Sequence, residues 1–258
     1  MPTFEHDGLT LHYIDEGSAQ HAPVLLVHGF ASNIEMNWVG PGWVRSLLEA
    51  NYRVIAIDNR GHGQSDKPHD PKAYAPERMA ADATALLDHL EIQRASWVGY
   101  SMGGRIAAFA ALANSDRLNA LVLGGIGEGL VTGLDDAEGI AEALLAASLD
   151  DAQGARPRMF RAFADKTGSD RKALAACIAT SRKVLTVRDV ATINVPTLIA
   201  LGTKDDIAGS ADALAALMPN ARTLVIPDRD HMLTVGDRRF IEGTIAFLRG
   251  AQQGDARE

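Results

Sequence analysis

The sequence predicts an α/β fold, a mostly parallel central sheet flanked by helices with a helical cap inserted near its middle. Three observations carry this. Short aliphatic and β-branched runs alternate with helix-like segments, as βαβ units require. One serine stands between glycines in Gly99-Tyr100-Ser101-Met102-Gly103, directly after a strand-like run and before a helix-like one. Between about residues 127 and 190 the alternation stops, and alanine-rich, helix-like sequence continues over a stretch too long for a loop.

The elements follow in order. Residues 4–15 form two alternating runs about Gly8 and read as a hairpin of edge strands. The apolar runs 24–27, 52–57, 118–123 and 196–201 read as buried parallel strands, 95–98 is a short β-prone run, and 222–226 is a further strand ended by Pro227. Helical segments are expected at 76–90, 105–113, 208–217 and 238–248, with a polar, frayed tail from Gly250. The domain reading is a core of residues 1–126 and 191–258 and a cap of residues 127–190.

Bulk properties narrow the function classes. In 258 residues, 47% are hydrophobic and 22% charged, ordinary for a globular chain, and the net charge is −8. That charge argues against a nucleic-acid partner, because phosphate binding needs a positive surface. No run is long and apolar enough to span a bilayer, and Glu5, His6, Asp7, Asp15 and Glu16 interrupt the N-terminus before any secretory core, so no membrane partner and a cytoplasmic location are expected. Cys177 is the single cysteine, which leaves no internal disulfide and no cysteine-based metal site. Nothing in the sequence bears on oligomeric state.

Ser101 has the setting of a nucleophile. A serine hydroxyl is a poor nucleophile at neutral pH, so it must be lifted clear of its neighbours and placed beside a base. Without a Cβ at 99 and 103 the strand can turn sharply into the helix, leaving Oγ above the sheet edge. His231, the only histidine after Ser101, stands between the last strand and the last helix and is the candidate base. Asp205 or Asp206, after Gly202 at a strand end, supplies the carboxylate that orients the histidine. Asp205 is favoured, with Asp206 left as a helix-capping acid and Asp228 and Asp230 as solvated loop charges. Two backbone N–H groups must receive an oxyanion, and Met102 and Phe30 are the candidates. His28 is read as a structural histidine that holds the Gly29-Phe30 turn.

Taken together, His28-Gly29-Phe30, residues 58–66, residues 99–104, residues 202–205 and His231 resemble the α/β-hydrolase superfamily, from about Leu9 to Leu248, in its order of Ser, Asp and His. The glycines of residues 60–66 mimic half of a dinucleotide fingerprint, but Asp66 takes the third glycine's place and no helix is expected there. The resemblance implies a serine esterase with an acyl-enzyme on Ser101 and a small-molecule ester or lactone as substrate, with no cofactor and no metal. Enol-lactonases and C–C hydrolases of aromatic degradation resemble it too, and a non-catalytic small-molecule sensor is the reading from another class. A serine at 101 weighs against the relatives that use an aspartate at this turn. Cys177, in apolar surroundings, is read as inert. Residues 150–189 carry nine basic side chains, Arg156 to Arg188, against five aspartates, an excess that would draw in anionic substrates if it faced the cleft.

Overall fold

The computed structural model describes residues 2–133 and 136–255. Eight strands form one sheet: β1 (Thr3–His6), β2 (Leu9–Glu16), β3 (Ala22–Val27), β4 (Tyr52–Ile57), β5 (Ala95–Tyr100), β6 (Leu118–Gly124), β7 (Thr197–Gly202) and β8 (Ala221–Ile226). Their order is β1-β2-β4-β3-β5-β6-β7-β8, antiparallel at β1-β2 and β2-β4 and parallel from there on. The hairpin turns at Asp7 and Gly8, both at positive φ (53° and 74°), the twist that suits a two-residue connection. Of the two hairpin strands only β1 is an outer edge of the sheet, because β2 pairs with β4 on its other side; β8 is the opposite edge.

Helices cover both faces: α1 (Trp43–Glu49), α2 (Pro76–His89), α3 (Met102–Ala113), α4 (Gly129–Thr132), α5 (Ala137–Leu145), α6 (Ala155–Thr167), α7 (Arg171–Thr180), α8 (Val187–Ala191), α9 (Ala211–Ala215), α10 (His231–Thr234) and α11 (Arg238–Asp255). Alternation along the strands sorts the core into two layers. Leu25, Val27, Ile55, Trp97 and Leu121 face α2 and α3, and this layer runs on into Ile140, Phe160, Leu174 and Cys177 of the inserted helices. Val24, Leu26, Val54, Val98 and Val122 face the opposite way, towards Trp43 of α1 and Phe240 of α11.

Helix boundaries differ from expectation in three places, the first being α3, which begins at Met102 directly after Ser101 and not at Arg105. The helix expected at 208–217 starts only at Ala211, capped by the Ser210 side chain on Ala213 N–H (3.1 Å), because residues 205–208 are tied into a turn by Asp205. At the other end of the chain, α11 continues through Gly250 to Asp255 instead of fraying there.

The strand order reverses around β3, whose partners β4 and β5 lie on opposite sides of it. The crevice beyond the carboxyl ends of β3 and β5 is where such sheets collect functional loops. Four loops matter here: residues 28–30 after β3, Ser101 after β5, residues 203–208 after β7 and residues 227–231 after β8.

Candidate active site

Ser101 is held at φ 53° and ψ −112°, a conformation that costs a non-glycine residue energy and that the surroundings must enforce. The glycines do so by close approach. A Cβ on Gly103 would lie 1.9 Å from the Val27 carbonyl oxygen, and one on Gly99 would lie 2.3 Å from that of Gly103. Ser101 N–H donates to Gly124 O (2.7 Å), which pins the turn to β6.

The candidate base, His231, arrives from β8. Asp230 caps α10 by accepting from Leu233 N–H (2.9 Å), so it is a structural cap and not a solvated charge, and it sets His231 as the first residue of that helix. Asp228 is a surface charge, paired with Lys204 at 3.0 Å. His231 Nε2 lies 2.9 Å from Ser101 Oγ, and its Nδ1 lies 2.9 Å from Asp205 Oδ2. A carboxylate only accepts, so Nδ1 carries the proton and Nε2 is free to accept from the serine hydroxyl.

Asp205 is the aspartate that reaches the histidine. Its side chain is 1% exposed, and its other oxygen accepts from Ile207 N–H (2.9 Å) and Ala208 N–H (3.0 Å). Burial works against its ionisation, but the hydrogen bond and charge of His231 and the two amides outweigh it and hold the carboxyl below the usual range. Asp206 points away, 82% exposed and 3.6 Å from Arg156. It caps no helix: α9 starts five residues further on and has Ser210 for that purpose. Gly202 lets the β7 and β8 loops meet, since a Cβ there would lie 2.1 Å from the Arg229 carbonyl oxygen.

The β3 loop presses against the elbow. A Cβ on Gly29 would be 3.3 Å from Tyr100 O and 3.5 Å from Ser101 Cβ. His28, fully buried, donates from Nδ1 to Gly29 O (2.8 Å) and accepts at Nε2 from Asn59 N–H (3.0 Å); burial lowers its pKa and keeps it neutral. Phe30 and Met102 flank Ser101 in the wall of one cavity, and neither backbone N–H has a hydrogen-bond partner among the described residues. Two positioning groups left no sequence signal. Asn37 Oδ1 accepts from Gly29 N–H (2.7 Å), and the Tyr100 hydroxyl donates to the His231 carbonyl from beneath.

Cys177 Sγ lies 3.7 Å from Met102 Sδ, fully buried, with its thiol pushed up to about 12 by burial. Among the described residues no histidine is hydrogen-bonded to it, and burial holds the thiol protonated near neutral pH. Residues 58–66 are structural. Asp58 accepts from Ile34 N–H (2.8 Å), Gln64 N–H (2.9 Å) and His12 Nδ1 (2.7 Å), and no helix starts at Asp66. Among the described residues no group of three or more His, Cys, Asp or Glu side chains is arranged to hold a metal ion, and no helix is long and apolar enough to cross a membrane.

A family model described as the alpha/beta hydrolase fold matches residues 22–176, from β3 through Ser101 into α7. The chain belongs to that family. A non-heme haloperoxidase of Rhodococcus erythropolis is 31% identical over 94% of this chain and 97% of that protein. The crystal structure of a hydrolase from Pseudomonas aeruginosa PA01 superposes with a TM-score of 0.80 at 26% identity, covering 96% of this chain and 97% of that one. A Bacillus subtilis protein described as a putative 2-succinyl-6-hydroxy-2,4-cyclohexadiene-1-carboxylate synthase is 34% identical, but over 49% of this chain and 44% of that protein. In the hydrolase fold so assigned, the match to the family model stops before Asp205 and His231, so their placement rests on the hydrogen-bond geometry.

Proposed function

We propose that this hydrolase cleaves carboxylic esters, lactones included, through an acyl-enzyme on Ser101. The observation that carries the reading is the continuous relay from Asp205 to His231 to Ser101, with both contacts of the imidazole at 2.9 Å. Ser101 Oγ attacks the carbonyl carbon while His231 Nε2 takes its proton, and Asp205 stabilises the imidazolium that forms. The N–H groups of Phe30 and Met102 receive the negative charge on the carbonyl oxygen. The tetrahedral adduct collapses as the carbon–oxygen bond to the leaving alcohol breaks, and that oxygen takes the proton from Nε2. Water, deprotonated by the same nitrogen, then attacks the acyl-enzyme and frees Ser101 and a carboxylic acid. For a lactone, acid and alcohol leave as one hydroxy acid.

The test uses p-nitrophenyl acetate. Rapid mixing is expected to show a burst of one p-nitrophenol per active site followed by steady turnover, with an acetyl adduct on the Ser101 peptide in acid-quenched samples. Stoichiometric binding without multiple turnover would replace the enzyme reading by that of a small-molecule sensor.

A further inference from the structure

Ser101 lies between two cavities that meet at Phe30 and Phe160. The outer one, of about 130 Å³, includes Gly29, Tyr100, His231, Met232 and Val235 in its wall. The inner one, of about 40 Å³, lies on the Met102 side beneath the inserted helices and is walled by Ile126, Ile178 and Ile207 together with Arg105, Ser181 and Arg182. On the reading above, the leaving oxygen takes its proton from His231, so the alcohol faces the outer cavity. The acyl chain is left with the inner one, which has room for a few heavy atoms.

Two guanidinium groups in so small and apolar a space call for a counter-charge. Arg105, 3% exposed, donates to the carbonyls of Gly129 (3.0 Å), Leu130 (3.4 Å) and Lys183 (2.8 Å) and has no carboxylate partner among the described residues. Arg182 pairs through Nη1 with Asp136, which Arg156 also engages at 3.1 Å, so one carboxylate is shared between two arginines. The Nε and Nη2 of Arg182 have no protein partner among the described residues. Burial lowers both guanidinium pKa values to about 10, with the charge of Arg182 adding to the effect on Arg105, and both stay cationic at neutral pH. A buried charge without a partner is costly, and an anion entering the cavity would relieve it. Of the nine basic side chains in residues 150–189, Arg182 alone lines either cavity, so the excess of the inserted helices narrows to one residue at the site.

We propose that the inner cavity accepts a short acyl chain ending in a carboxylate, held by Arg182 and Ser181 against the charge of Arg105. The substrate class is then a half-ester of a short dicarboxylic acid, or a lactone whose acyl side carries a carboxylate.

Two measurements on the whole protein test this. The first compares kcat/KM for mono-p-nitrophenyl succinate with that for p-nitrophenyl butyrate, which matches it in length but lacks the charge. The second titrates succinate and butyrate into the unmodified enzyme by calorimetry, which needs no turnover. A charge-assisted pair in this setting is expected to favour the second carboxylate roughly 10- to 100-fold in both readouts. Arg182→Gln should bring both ratios towards one, and Ser181→Ala, a smaller change, should lower them in part. Turnover of the butyrate ester with no preference for succinate in either readout would overturn the inference and leave the esterase reading intact. Succinate preference in the titration with no turnover of either ester would uphold the cavity and overturn the esterase reading. Ratios that Arg182→Gln leaves at the wild-type value in a protein of normal melting temperature would also overturn it.

Discussion

At the scale of single residues, the proposed mechanism requires Ser101, His231 and Asp205 to act as a unit. Ser101→Ala and His231→Ala are each expected to lower kcat by about 10⁴- to 10⁶-fold, since the hydroxyl and imidazole fail together. Asp205→Asn leaves the shape intact but reverses the donor and acceptor roles at His231 Nδ1, at a cost of about 10³- to 10⁴-fold in kcat. Steady-state kinetics on a neutral ester read all three, and wild-type turnover by Ser101→Ala would reassign the nucleophile. Asp206→Ala supplies the contrast. Its exposed carboxylate serves neither His231 nor α9, so kcat should stay within about twofold and stability within about 0.5 kcal/mol. A large kcat loss in Asp206→Ala with none in Asp205→Asn would move the orienting role to Asp206.

At the scale of elements, the β5-to-α3 turn is made by what it leaves out. Gly103 sits where any Cβ would collide with the carbonyls of Val27 (1.9 Å) and His28 (2.7 Å), backbone atoms that cannot swing aside. Gly103→Ala is therefore expected to cost about 3 kcal/mol or more, or to prevent folding, because β3 and α3 must part to admit the methyl group. Gly250 is the opposite case. It lies within α11 with open space around the position of a Cβ. Gly250→Ala should stabilise by up to about 1 kcal/mol, the helix-propensity difference, and thermal melting of the two variants side by side measures both effects. Asp230 links element to site, since the cap it gives Leu233 N–H fixes the start of α10, where His231 stands. Asp230→Ala should lose about 1 kcal/mol of stability by denaturant titration, with a fall in kcat as His231 loosens.

For the whole molecule, buried histidines set the response to acid. Burial, aided by the charge of His28, lowers His62 to about 3, and His28 is lowered by its own burial. His62 stays neutral in the folded protein down towards pH 3 and His28 titrates below its ordinary range, whereas the unfolded chain takes up protons near pH 6.5. The unfolded state then binds more protons, so stability rises with pH and falls as pH drops below about 6.5, by up to about 1.4 kcal/mol per pH unit for His62 towards pH 3, with His28 adding to the loss in the same direction. Asp205 adds to this only at lower pH, where the unfolded chain's carboxyl protonates while the depressed one in the fold is still ionised. Urea titrations between pH 7.5 and 4.5 should show a steady loss of midpoint, and His62→Gln should flatten it. A flat profile in the unmodified protein would mean that these rings are protonated in the fold.

What the sequence by itself determined was the parallel sheet, the glycine-flanked turn at Ser101 and the chain order of the candidate site residues. Strand runs, glycine pairs and strand-end loops are local patterns, and a parallel sheet delivers the ends of its strands to one edge. The choice between Asp205 and Asp206 was legible only as a preference, because it depends on which way one loop turns, and the amides of Ile207 and Ala208 decide that together with His231. The supporting roles of Asn37 and Tyr100 were not legible at all, since each acts on a backbone atom that the fold brings near: Gly29 N–H and the His231 carbonyl. The charge of the inserted helices was visible as a sum and misleading as one. Arg156, Arg158, Arg161 and Lys183 are engaged by acidic or carbonyl partners elsewhere. Only the tertiary structure set Arg182 beside Arg105, residues 77 positions apart in the chain that share one cavity wall next to Ser101. Composition records how many charges a segment carries, and packing decides which of them face the site.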